Sequence, residues 1–363
     1  MAPAEAAGGH AVPGDHAAPD DHGHAKPGAS RVLTAFAIGH FQRARTRADG
    51  RISELFAGLL VSSVVGAPHP LAASVLDVVR VATSGGNISP PGERVGLDVI
   101  GCSMVTAARI RMGGFATTHE TIGPLAADAC AAAAWSTGRQ EGSPWPDILA
   151  AFSAGLEAQL RLARALRQFP KSSVWDVSAM SSVVGAAYAA GLLLGLDAGV
   201  LGQAVGIAAS QTVGAPLVTP TPAGILHSAK PAGNGVMSAY LAAEGFTGQQ
   251  RVLEAHRGLF PVVAGIEALP ATISFGEPGL ALADRLRMMV PRRPASFDPR
   301  TAVASRPADF DLCMAAPSHP ADVPDRGYLL AASLHRLLGQ VDGLEGEHGL
   351  RPRIDRFMRE VAG

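Results

Sequence analysis

Residues 175–248 read WDVSAMSSVVGAAYAAGLLLGLDAGVLGQAVGIAASQTVGAPLVTPTPAGILHSAKPAGNGVMSAYLAAEGFTG. Three apolar, small-residue segments follow one another here, at about 177–194, 198–213 and 232–244. Charges are nearly absent from them, so as helices they are apolar all round, the pattern of buried helices rather than of amphipathic surface ones. Gly, Ala and Ser recur through all three and allow helix backbones to approach closely. Gly195-Leu196-Asp197 reads as a turn leading into an N-cap. Polar side chains collect in the second break and just beyond it: Thr219, Thr221, His227, Lys230 and Asn234. A buried helical core with its polar groups at one break makes a plausible pocket wall.

Outward from this stretch, helical periods dominate. Helices are expected over 31–48, over 53–65 with Ser53 as N-cap, over 71–83, over 95–112 and over 125–136. Another is expected over 148–169, with Gln159, Arg161, Arg164 and Arg167 on its polar face. Pro170-Lys171-Ser172-Ser173 ends it. Asp176 then stands as an N-cap for the first core helix. A second polar cluster, Thr117-Thr118-His119-Glu120, lies in the break 113–124, again just before an apolar helix. Tyr188 and Tyr240 read as core residues, and Gln211 as a cavity-lining or self-satisfied amide.

Four divisions of the chain emerge. Residues 1–30 are expected to be a disordered tail, rich in Ala, Pro, His and Asp. Its His10, His16, His22 and His24 lack the defined ligand set of a zinc site and read as solvated. Residues 31–269 form a helical core domain. Residues 270–327 are proline-rich and irregular, apart from a short helix expected over 280–289. Residues 328–363 carry two terminal helices, at 328–338 and 352–361.

Hydrophobic residues make up 47% of the chain and charged ones 17%, which excludes a disordered chain. A net charge of -1 gives no basis for a nucleic-acid partner. Cys102, Cys130 and Cys313 form no CxxC pair and suit buried thiols in a reducing compartment. No apolar signal core stands in the first thirty residues, and the apolar run after Val177 is divided by Asp197. The expectation is a cytoplasmic protein without a membrane span. Nucleotide loops, HExxH and GxSxG elbows are absent from the sequence, so neither a cofactor nor a metal is expected.

The ordered series Gly185-Ala186-Ala187, Gly195-Leu196-Asp197 and 204–211 (AVGIAASQ), then His227 eight residues before Gly235 and 242–248 (AAEGFTG), resembles the MmgE/PrpD family. That family includes 2-methylcitrate dehydratase, cis-aconitate decarboxylase and iminodisuccinate epimerase. The resemblance covers roughly residues 55–265. It implies a mainly α-helical core, a homodimer, no cofactor, and proton chemistry beside a carboxylate of a small-molecule substrate. His227 matches the family histidine before the Gly-x-x-Ala-Ala helix, and His119 looks like the counterpart of a second one. Other positions depart. Asp176 stands where the family has histidine, and Gly224 where it has lysine, with Lys230 a candidate spatial replacement. The family's α/β lid domain is read as reduced or absent, since neither its strands nor its Lys-x-x-Pro-x-Cys motif is found.

The resulting expectation is a divergent lyase, dehydratase or isomerase acting on a small organic acid. His227, Asp176, His119 and Lys230 are its candidate catalytic groups. Thr117, Thr118, Thr219, Thr221, Gln211 and Asn234 are its candidate substrate contacts. Two alternatives stand beside it: a pocket recruited for a larger, less charged substrate, as in a cyclase or isomerase of secondary metabolism, and a non-catalytic binding or scaffold subunit.

Overall fold

The computed structural model describes residues 28–46, 49–120, 122–212, 214–270, 273–276 and 286–289. The chain is mainly helical. The helices are α1 Ala29–Thr46, α2 Gly50–Gly66, α3 Pro70–Ala82, α4 Val99–Met112, α5 Asp128–Gln140, α6 Trp145–Leu166, α7 Val177–Leu193, α8 Ala198–Ala209, α9 Leu226–Ala243 and α10 Leu259–Ala264. Strands β1 Ala116–His119 and β2 Gly123–Pro124 lie between α4 and α5, and β3 Leu286–Met289 follows later in the chain.

Helix α7 is the axis of the fold. Every residue from Ala179 to Leu192 is buried, as expected of a helix with no polar face. It packs against α5, α6, α8 and α9, while α4 joins α2, α5 and α9 and α1 lies along α6. The α6–α7 crossing is made by backbone. A Cβ added at Gly155 would fall inside 3.0 Å of the Gly185 carbonyl oxygen and of Cys130 Sγ. No side chain at Gly155 fits there, beside the Cys130 thiol that reaches carbonyls of both helices.

Capping residues set several helix starts. Asp49 accepts from Arg51 N and Ile52 N at the head of α2. The cap expected at Ser53 therefore lies one turn too late, and Ser53 sits buried inside the helix. Asp98 accepts from Ile100 N and Gly101 N, so α4 begins at Val99 rather than at 95. Asp197 accepts from Gly199 N and Val200 N at the head of α8.

Four further expectations need correcting. The break at 113–124 contains a β-hairpin, with Thr118 opposite Pro124 and His119 opposite Gly123. Residues 286–289 form no helix. They pair antiparallel with β1, His119 facing Leu286 and Ala116 facing Met289, in the sheet order β2-β1-β3. Residues 226–231 belong to α9, which places His227 and Lys230 on a helix rather than in a loop. Gln159 and Arg161 are buried, not solvated. Arg161 lies 3.7 Å from the centre of the Phe36 ring, donates to the Phe275 carbonyl at 3.2 Å and sits 3.8 Å from Glu157, all inside the core. The charge is thus placed against a ring face, a carbonyl and an opposite charge rather than in solvent.

Among the described residues, no single helix is long and apolar enough to cross a membrane. The tail histidines, Cys313, most of 270–327 and both expected terminal helices lie outside the described residues.

Candidate active site

Three helix starts converge: those of α5, α7 and α9. Asp176 caps α7, its Oδ1 accepting from Ala179 N at 3.1 Å. Its own backbone N donates to the Gly214 carbonyl at 2.8 Å, which fixes the entry of the chain. Its second oxygen, Oδ2, lies 3.0 Å from His227 Nδ1 in the first turn of α9. A carboxylate only accepts, so Nδ1 is the donor and the neutral ring carries its lone pair on Nε2. The histidine is buried, with 8% of its surface exposed. A ring held in this tautomer can take up a proton at Nε2.

Ser228, the next residue, points elsewhere. Its Oγ donates to Oδ2 of Asp128 in the first turn of α5. Asp128 is buried, and its Oδ1 accepts from Ala129 N at 2.9 Å. Burial pushes its carboxyl above the usual carboxylate range, against the opposing pull of Arg111. Sequence reasoning named neither residue. An acid at a helix start and a serine beside a histidine carry no signal of their own.

His119 is buried on β1, and its Nδ1 accepts from Ile122 N at 3.3 Å. Its strand is tied to the α7 start indirectly. Thr117 Oγ1 donates to the Leu125 carbonyl, and Ala126 N donates to Ser178 Oγ, two residues beyond Asp176. Gln159 Nε2 holds the Ala126 carbonyl at 2.7 Å. The hairpin carrying His119 is thus clamped to the helix carrying Asp176.

Of the remaining candidates, Lys230 is exposed three residues beyond His227 on α9. Thr221 Oγ1 donates to the Val218 carbonyl at 2.7 Å and closes a 3-10 turn. Gln211 Nε2 donates to the Ile207 carbonyl and to Ser238 Oγ, at 3.2 and 3.1 Å, at the α8–α9 contact. Thr118, Thr219 and Asn234 are half-buried. Gly224 belongs to the 3-10 turn Pro222–Ile225, and a Cβ there would fall inside 3.0 Å of the Thr219 carbonyl oxygen. Nothing larger than glycine fits that turn as built.

Neither described cysteine is a nucleophile candidate. Burial pushes the Cys102 thiol to about 11 and that of Cys130 higher still, so both stay protonated. Among the described residues, no group of three or more His, Cys, Asp or Glu side chains has the arrangement of a metal site.

A comparison with curated proteins returned no match. The family model for the MmgE/PrpD N-terminal domain matches residues 24–270, about two thirds of the chain, and includes α1 to α10 with the Asp176–His227 pair. On that match, and on the helical architecture that accompanies it, the chain belongs to the MmgE/PrpD family.

Proposed function

We propose that this protein is a cofactor-independent lyase or dehydratase, or an isomerase, acting on a small organic acid, with His227 as its base. The family suggests a dehydratase-like enzyme. The observation that carries the finer reading is the 3.0 Å bond from His227 Nδ1 to Asp176, which leaves Nε2 free of the proton that a base must acquire. In this reading His227 Nε2 takes the proton from a carbon beside a carboxylate. The electron pair of that C–H bond moves toward the carboxylate as an enediolate. Dehydration follows when the pair returns to expel a β-hydroxyl, which leaves as water with the proton from His227. Isomerisation follows when a second acid, His119 in this reading, delivers a proton to the opposite face, and His227 then gives its own proton to water. Lys230, one turn along α9, would hold a substrate carboxylate, and His119 would donate to the developing enediolate.

Thr117, Thr221 and Gln211 make bonds within the fold. Substrate contacts in this reading therefore fall first to Thr118, Thr219 and Asn234. The same reading has the enzyme working as a cytoplasmic homodimer.

A second reading, a larger and less charged substrate, is favoured by one observation. Trp175 and Leu226, the immediate neighbours of Asp176 and His227, are 39% and 41% exposed, and Val174 and Leu217 are also exposed. An apolar rim of this kind suits the body of an apolar substrate better than a tricarboxylate.

The test has two arms. Small di- and tricarboxylates and bulky apolar compounds are compared for their effect on the melting temperature of wild type and His227→Ala. Compounds that stabilise only wild type are then incubated in deuterium oxide and followed by NMR. Deuterium entering beside a carboxylate, and lost in His227→Ala, supports the first reading. Stabilisation by apolar compounds alone supports the second. No stabilisation by either class together with no deuterium entry overturns both.

A further inference from the structure

The first turn of α9 is weak by its own sequence. Ile225, at the N-cap position, supplies no capping side chain. Pro231 lies inside the helix, and its ring nitrogen has no hydrogen for the His227 carbonyl four residues back. The turn thus lacks a side-chain cap and one bond of the helical ladder, and is held from before by the preceding 3-10 turn, whose Ala223 and Gly224 carbonyls accept from Leu226 N. It is also the turn that carries His227.

Two side-chain bonds stand in for what is missing. His227 reaches the α7 start through Asp176, and Ser228 reaches the α5 start through Asp128. Successive helical residues point about 100° apart, so these two ties leave the helix in different directions and end on different helices. One tie alone would leave the turn free to rotate about the line it defines. Two divergent ties fix both its position and its rotation. Asp128 is a firm anchor, being buried and held by Ala129 N. It serves in either protonation state, because the hydroxyl of Ser228 donates and either form of the carboxyl accepts.

We infer that Ser228 and Asp128 are a positioning pair for His227, holding the opening turn of α9 so that the imidazole meets Asp176 in one orientation. The catalytic consequence rests on the function proposed above; the clamp itself does not.

The experiment uses the full chain and diethyl pyrocarbonate, which acylates an unprotonated imidazole nitrogen. The rate at His227 is read by peptide mass spectrometry, with the exposed His256 as internal reference. Ser228→Ala is expected to speed modification of His227 about fivefold, the change in open population equivalent to one hydrogen bond of about 1 kcal/mol. His256 should keep its rate. Asp128→Ala, which removes the acceptor and leaves Ser228 in place, should give the same acceleration. Ser228→Thr and Asp128→Asn keep a donor and an acceptor, and should stay within about twofold of wild type. An unchanged His227 rate in both alanine variants overturns the clamp. Should Ser228→Ala fail to fold, Asp128→Ala decides by the same criterion. Deuterium entry into substrate is scored separately: its absence in wild type removes the proposed chemistry but leaves the clamp standing, whereas wild-type deuterium entry with an unchanged His227 rate in the variants does the reverse.

Discussion

The carboxylate of Asp176 serves two helices at once: Oδ1 caps α7 through Ala179 N, and Oδ2 meets His227 Nδ1 on α9. Asparagine separates these duties. Its carbonyl caps as well as a carboxylate does, but its amide would face His227 Nδ1 donor to donor and favour the opposite tautomer. Asp176→Asn is therefore expected to lower turnover by about two to four orders of magnitude, with the melting temperature nearly unchanged. Asp176→Ala should add a cap loss of about 1 kcal/mol, visible in urea unfolding.

His40 is one source of pH dependence in stability, opposed by Asp128, whose raised carboxyl favours the folded state as pH falls. Burial first, then Arg43 and Arg161, lower its pKa from 6.5 to about 4, and its Nε2 lies 2.9 Å from Ser153 Oγ. The folded state therefore resists protonating this ring. Between about pH 6.5 and 4 the unfolded chain binds the extra proton, so this contribution to stability rises with pH across that window and is lost as pH falls through it. His40→Gln should flatten this slope in a series of melting curves. An unchanged slope would show that other groups carry it.

Restoring a lysine at position 224 should not restore a cation site. A Cβ there collides with the Thr219 carbonyl oxygen, which is backbone and cannot swing aside. Gly224→Lys is expected to cost about 1–3 kcal/mol by forcing the 3-10 turn apart, measured by chemical denaturation. Stability equal to wild type would mean that the turn relaxes freely.

Gly155→Ala should be at least as damaging, although it adds a single methyl group. The new carbon would press on the Gly185 carbonyl and on Cys130. A loss of about 1–3 kcal/mol is expected, again by denaturation.

The architecture was largely legible because apolarity is a global property. Segments 177–194 and 198–213 lack charge on every side, and burial accommodates that: they hold α7, Val177–Leu193, and α8, which ends earlier than expected, at Ala209. Local competition was harder to read. Asp49 and Ser53 are both good caps one turn apart, and only the tertiary start of α2 chooses between them. Residues 286–289, Leu-Arg-Met-Met, favour a helix in isolation, yet β1 presents an open edge whose ladder overrides that preference. Arg161 looked solvated because a charge on a periodic helix is usually its outer face. Here α1 lays Phe36 over it.

The site was legible in half. His227 and Asp176 stood out by resemblance and by position, and the fold brings their side chains together. Their partners did not stand out. The third core segment reads as starting at about 232, and a Ser228 in the break before it has no fixed direction. Only once the helix is known to start at Leu226 does Ser228 acquire a bearing toward Asp128.

The glycine contact between α6 and α7 has an evolutionary corollary. At Gly155 the nearest obstacle is the Gly185 carbonyl oxygen, main chain that no substitution shrinks, so a compensating partner for a larger residue at 155 is hard to supply. Drift would be pushed outward, to exposed residues such as Trp175, Leu226 and Lys230, where a change alters what the protein meets without disturbing how it stands. A lineage built on such a frame would diversify its chemistry at the rim and keep its smallest residues as its most constrained ones.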